Sequence, residues 1–163
     1  MPNNVLVAVM GEGEYLPRLV RAILDKEIIP ARNMFLSSKN AVACKAAEGY
    51  DVRLCEDVAA ALLKSEIVLV TASKREMPTQ LTAIANCAQK RIVVTVCNDE
   101  RIDLAYVRER VPTATEFIAA VLRRDEAGRT SATFEIAEKT RLFLHQPCRD
   151  LVNALCDALN EAV

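Results

Sequence analysis

The residues best placed to do chemistry are glycines. The chain has four in 163 residues, and two of them, Gly11 and Gly13, bracket Glu12 directly after the apolar run "NVLVAVM". A G-x-G between a strand and a helix brings the backbone close to a phosphate. The first glycine permits the tight turn, and the second lets the backbone approach a pyrophosphate. The helix N-terminus that follows supplies oriented N–H donors and positive potential. The same spacing also serves a plain strand-to-helix turn. Glu12 and Glu14 fit that alternative, because a carboxylate at a helix N-terminus answers the dipole without any ligand. Leu16 stands where the fingerprint carries its third small residue, which predicts a wider spacing between helix and strand.

A second chemical signal lies in "SSKN", the segment Ser37, Ser38, Lys39 and Asn40. An acid at the end of the second strand would hold a ribose 2′-OH, whereas hydroxyls and a cation suit a 2′-phosphate. With no acid present, a bound dinucleotide is expected to be NADP(H). The alternative is an ordinary polar loop. Candidates for catalysis are sparse, and the catalytic residue is left unassigned. The single histidine, His145 in "LFLHQP", has no paired acid in a motif and reads as a surface or edge residue. Ser73, Lys74, Arg75 and Glu76 follow the fourth strand at the carboxyl edge of the sheet, where Lys74 could face a substrate carboxylate or simply sit in solvent. Arg123 and Arg124 are equally ambiguous. No Ser-His-Asp order and no nucleophile elbow occurs. Hydride transfer asks little of the protein beyond positioning, so their absence does not exclude a reductase.

The elements that must position these groups follow from periodicity. "NVLVAVM" at 4–10 reads as a buried strand, and Leu16, Leu19, Val20, Ile23 and Leu24 recur at helical spacing up to a stop at Pro30. "NMFLSS", "DVRLC", "EIVLVTA" and "RIVVTVC" read as further strands, with helices "AVACKAAEG", "EDVAAALLKS" and "MPTQLTAIANCAQK" between them. Short connections between alternating strands and helices predict right-handed βαβ units on a parallel sheet. "DLAYVRERV" reads as a short helix, and "TEFIAAVLR" is ambiguous between helix and strand. "RTSATFEIAE" and "TRLFLHQ" are expected as antiparallel strands at the sheet edge, before an amphipathic terminal helix bearing Leu151, Leu155, Cys156 and Leu159. The fold class is therefore α/β, a Rossmann-type doubly wound and mostly parallel sheet with C-terminal edge strands and a terminal helix. One domain over 1–163 is expected.

Composition bounds the function classes. Apolar residues make up 52% and charged ones 26%, and 21 basic against 22 acidic residues leave a net charge of −1. With no single-sign charge run, nucleic acid is not an expected partner. No apolar stretch reaches the ~18 residues of a membrane span, and no signal peptide is legible. Cys44, Cys55, Cys87, Cys97, Cys148 and Cys156 form no C-x-x-C pair, so no metal site is expected, and free thiols point to the cytoplasm.

Taken in order, "VAVMGEGEYL", "NMFLSSKN", "EIVLVTASKREMP" and "RIVVTVCND" resemble the N-terminal domain of pyrroline-5-carboxylate reductase. They are also similar to the coenzyme F420-dependent NADP oxidoreductases. The resemblance runs over about residues 4–136. It implies that Gly11, Glu12, Gly13, Glu14 and Tyr15 hold the pyrophosphate, that Ser37, Ser38 and Lys39 hold the 2′-phosphate, and that Ala72, Ser73 and Cys97 lie against the nicotinamide. Departures accompany the match. Glu14, Tyr15 and Leu16 replace the family's Asn-Met-Ala, and Cys97, Asn98 and Asp99 replace its Ala-Ala-Gly turn. Ala72, Ser73 and Lys74 stand for its Val-Lys-Pro, and its Met-Pro-Asn-Thr-Pro loop has no counterpart in "AAVLRRDEAG". The family's helical domain, which carries the dimer interface and much of the imino-acid site, has no counterpart before Val163. The implied activity is NADP(H)-dependent reduction of an imine-like substrate, degenerate or completed by a homo-oligomer or partner chain. The alternatives are a non-catalytic nucleotide-binding or interaction module and, third, an assembly subunit pairing through edge strands at 131–144.

Overall fold

The computed structural model of the chain describes residues 5–13, 15–87, 92–99, 101–111, 116–124, 126–127, 130–136, 154 and 157. Among the described residues seven strands follow one another as β1 (Val7–Gly11), β2 (Met34–Ser37), β3 (Arg53–Cys55), β4 (Ile67–Thr71), β5 (Ile92–Cys97), β6 (Glu116–Arg124) and β7 (Thr130–Ile136). Among the described residues the α-helices that alternate with them are α1 (Leu16–Asp25), α2 (Ala41–Ala46), α3 (Val58–Lys64), α4 (Met77–Ala85) and α5 (Leu104–Arg110).

The strands form one sheet in the order β3-β2-β1-β4-β5-β6-β7. Every pairing from β3 to β6 is parallel, and β7 joins β6 antiparallel. The order reverses direction between β1 and β4, so the chain leaves a crevice at the carboxyl ends of those two strands. "TEFIAAVLR" thus resolves as the sixth parallel strand, and the edge strand expected from "RTSATFEIAE" is β7. The expected strand at 140–146, His145, Cys148, Leu151, Leu155, Cys156 and Leu159 lie outside the described residues. So do the side chains of Arg123 and Arg124.

Side chains alternate along the strands between two cores, as a sheet covered on both faces requires. Val7, Val9, Leu36, Leu69, Val94 and Val96 pack with Leu16, Leu19, Val20 and Ile23 of α1. Ala8, Met10, Phe35, Val68, Val70, Val93 and Cys97 pack on the opposite face with Met77, Leu81 and Val107. Full burial of each such aliphatic side chain contributes ~1.5–3 kcal/mol, so α1 is held by its apolar stripe rather than by its propensity. Asp57 and Asp103 cap α3 and α5, accepting from the N–H groups of Ala60 and Tyr106 at 2.8 and 2.9 Å.

The end of α1 differs from the expectation that Pro30 would stop it. The helix closes at Asp25, where the N–H groups of Glu27 and Ile28 donate to the carbonyls of Leu24 and Ile23. Glu27 takes the left-handed position, φ 51°, usually filled by glycine. Pro30 instead precedes a 3-10 turn, Ala31–Asn33, that leads into β2.

Candidate functional site

Gly11 ends β1 in register with Thr71, the last residue of β4. The two strand ends converge so closely that a Cβ on Gly11 would stand 1.8 Å from the Thr71 carbonyl oxygen. The backbone at Gly11 also has φ 101°, which L side chains rarely adopt. The next residue is fastened to the same strand end. The Glu12 N–H donates to the Thr71 carbonyl at 2.9 Å, and the Thr71 hydroxyl donates to the Glu12 carbonyl at 3.2 Å.

Gly13 is different. Its φ is 123°, and a Cβ built on it meets nothing within 4 Å. Gly13 also lines a cleft of about 310 Å³ at the crevice between β1, β4 and β5. Gly13 and Tyr15 line one side, Thr71, Ala72 and Ser73 the second, and Val96, Cys97 and Asn98 the third. Among the described residues the Gly13 N–H has no hydrogen-bond partner. The N-terminus of α1 follows at once, with no side-chain cap and no acid in its first turn. Pro17 occupies that turn, where a missing N–H costs little. The Glu12 side chain is exposed and also borders the cleft, yet caps nothing among the described residues. Glu14 lies outside the described residues.

Leu16, in the place of the third small residue, is a core side chain. Leu16 is 0% exposed and packs with Leu19, Val20 and the strands on the α1 face. Tyr15 is half-buried against the same core.

The second loop sits one strand away, at the end of β2, and does not line this cleft. Ser37 is buried, and its hydroxyl accepts from the Lys39 N–H at 3.2 Å, so it shapes the loop. Ser38 and Lys39 are exposed. Asn40 joins the two loops: its Oδ1 accepts from the Ala43 N–H at 3.1 Å, and its Nδ2 donates to the Gly11 carbonyl at 2.9 Å. Sequence reasoning gave no role to Thr71 or Asn40. Each carried a local signal, a hydroxyl closing an apolar strand run and an amide directly before a helix.

Charge at the far rim is largely internal. Arg101 grips the Asp99 carboxylate at two points, Nε to Oδ1 at 3.0 Å and Nη2 to Oδ2 at 2.9 Å. With the Arg101 N–H also donating and Lys74 nearby, the Asp99 carboxyl is lowered to about 2. Because the folded-state value is depressed, the pair's contribution is present above the ordinary carboxylate range and is lost as pH falls through about 2. Arg101→Ala should return Asp99 toward its ordinary value, 3.8, in a carboxyl-carbon NMR titration. An unchanged titration would remove Arg101 as the cause. Burial pushes the Cys97 thiol up, so it stays protonated at neutral pH and offers no thiolate to the cleft. Among the described residues no cluster of histidine, cysteine or acid could hold a metal ion, and no helix is long and apolar enough to cross a membrane.

No protein-family model and no curated protein matches the chain. Solved structures do. Pyrroline-5-carboxylate reductase from Coxiella burnetii aligns with a TM-score of 0.72 at 11% identity, over 97% of this chain and 57% of that one. Plasmodium falciparum pyrroline carboxylate reductase with NADP bound aligns at 0.68 and 11%, over 96% and 56%. An imine reductase variant from Myxococcus stipitatus in complex with NAD+ aligns at 0.62 and 13%, over 94% and 53%. The likeness shows a Rossmann-type fold. The chain spans a little over half the length of these reductases.

Proposed function

We propose that this chain is an NADP(H)-binding Rossmann domain of the pyrroline-5-carboxylate reductase type. The observation that carries the reading is Gly13: a left-handed glycine beside an open cleft at the topological switch point, with its N–H unpartnered among the described residues. A dinucleotide pyrophosphate fits that requirement, since it needs close backbone approach and N–H donors at a helix N-terminus. Fold neighbours with NADP and NAD+ bound support the same choice.

When bound, the dinucleotide supplies the hydride, here to an imine-like substrate. The chain's own residues do the holding. Gly13 and the start of α1 receive the pyrophosphate, Ser38 and Lys39 the 2′-phosphate, and Ala72, Ser73 and Cys97 wall the nicotinamide end. A helical domain supplied by a second copy or a partner chain would complete the substrate site, and the assembly would work in the cytoplasm. One observation favours the second reading in its form as a non-catalytic interaction module: the exposed Glu12 carboxylate on the cleft wall, which would repel a phosphate.

Calorimetric titration with NADPH and NADH tests the reading. NADPH should saturate the site and bind more tightly than NADH. Lys39→Ala should weaken NADPH by about tenfold and leave NADH unchanged, because a hydrogen bond to a charged group contributes ~1.5–3 kcal/mol before solvent exposure reduces it. No saturation by either dinucleotide at millimolar concentration sinks the cofactor assignment.

A further inference from the structure

The peptide unit between Gly11 and Glu12 is held at both ends. Its N–H donates to the Thr71 carbonyl at 2.9 Å, and its C=O accepts from Asn40 Nδ2 at 2.9 Å. A glycine-flanked peptide is easily rotated, because Gly11 lacks the Cβ that would restrict it. Rotation here would break both contacts and shift the chain that leads directly into Gly13 at the cleft. Thr71 alone opposes that rotation from one side. Asn40 opposes it from the other.

We propose that Asn40 is a positioning residue that locks the glycine loop in its anion-accepting shape and ties it to the second loop. The proposal deepens the cofactor reading and rests on it. Asn40 is itself well anchored. Its N–H donates to the Ser37 carbonyl at 3.0 Å, its carbonyl accepts from the Cys44 N–H at 3.0 Å, and its Oδ1 caps α2. The Ala43 N–H can only meet an acceptor and the Gly11 carbonyl can only meet a donor, so both contacts demand the amide in one orientation. The Ser37 carbonyl and hydroxyl, which shape the Ser38–Lys39 turn, share the Asn40 backbone frame. A displacement of one loop is therefore felt by the other through a single side chain.

Asn40→Asp separates this role from helix capping. Aspartate caps as well as asparagine, so α2 keeps its Ala43 contact. The donor to Gly11 is replaced by a carboxylate oxygen that repels the carbonyl. Amide hydrogen exchange on the full chain and titrations with NADPH and NADH give two independent readouts. The variant should exchange the Glu12 amide about tenfold faster, keep the Cys44 and Ala47 amides unchanged, and weaken NADH by about tenfold, as the loss of one part-buried hydrogen bond allows, with NADPH weakened further because the new carboxylate stands beside the loop assigned to the 2′-phosphate. The loss of NADH affinity distinguishes Asn40 from Lys39, whose removal acts on NADPH alone. Unchanged exchange at Glu12 overturns the proposal whatever the affinities do. Faster exchange spread through α2 also overturns it, leaving Asn40 as a cap only. Faster exchange confined to the loop in a chain that binds neither dinucleotide supports the lock and removes the cofactor reading, so the two failures are distinguishable.

Discussion

Gly11→Ala should destabilise the fold by at least about 3 kcal/mol, or abolish cooperative unfolding, in urea titrations followed by circular dichroism. Two penalties coincide at this position. The φ of 101° is unfavourable for any residue with a Cβ, and the added methyl would lie 1.8 Å from the carbonyl oxygen of Thr71. That neighbour is backbone in the middle of a parallel sheet, paired with β5 on its other side, so it has nowhere to go. Moving it would break the Glu12–Thr71 hydrogen bond and disturb Val70 and Leu69, which are fully buried on opposite faces. A loss below about 1 kcal/mol would show that β1 and β4 can part without penalty, and the convergence of the two strand ends would not be a structural requirement.

Much of this architecture was legible because its signals are local. Strand β1 and helix α1 announce themselves by a β-branched run followed by Leu16, Leu19, Val20 and Ile23 at helical spacing, and those residues are buried together. β6 was ambiguous because "FIAAV" is apolar without a period, and only its parallel register with β5 decides the matter. The end of α1 was misread for a different reason. Pro30 is a conventional stop, but the Glu27 turn comes first, and a glutamate in the left-handed position carries no sequence signal. The glycine loop was found from its spacing, yet its two fasteners were not. Thr71 and Asn40 lie 59 and 29 residues from the loop atoms they bond, separations that no windowed pattern reaches. The motif gives the two glycines different roles, and their surroundings differ too: a Cβ on Gly11 meets backbone, and one on Gly13 meets open space.

That contrast yields the largest expected effect on binding. Gly13→Ala should retain a cooperative fold, lose about 1–2 kcal/mol to backbone strain at φ 123°, and weaken NADPH by a hundredfold or more. The strain alone could lower affinity by loosening the chain generally, so Gly49→Ala is the matching control. Gly49 also has a positive φ, 90°, and also has nothing within 4 Å of a built Cβ, but it does not border the cleft. Both variants carry comparable strain in open surroundings, and only one places a methyl where a phosphate would approach the backbone. Equal stability losses with a binding loss confined to Gly13→Ala would identify close approach as the reason for the second glycine. If both variants bind NADPH like the unsubstituted chain, the dinucleotide is held without close backbone approach at Gly13, and the second glycine serves the turn alone. Gly11→Ala cannot make this distinction, because it removes the sheet geometry on which the cleft depends. Among the described residues, the left-handed glycines Gly11, Gly13 and Gly49 thus separate what the fold needs from what a ligand would need.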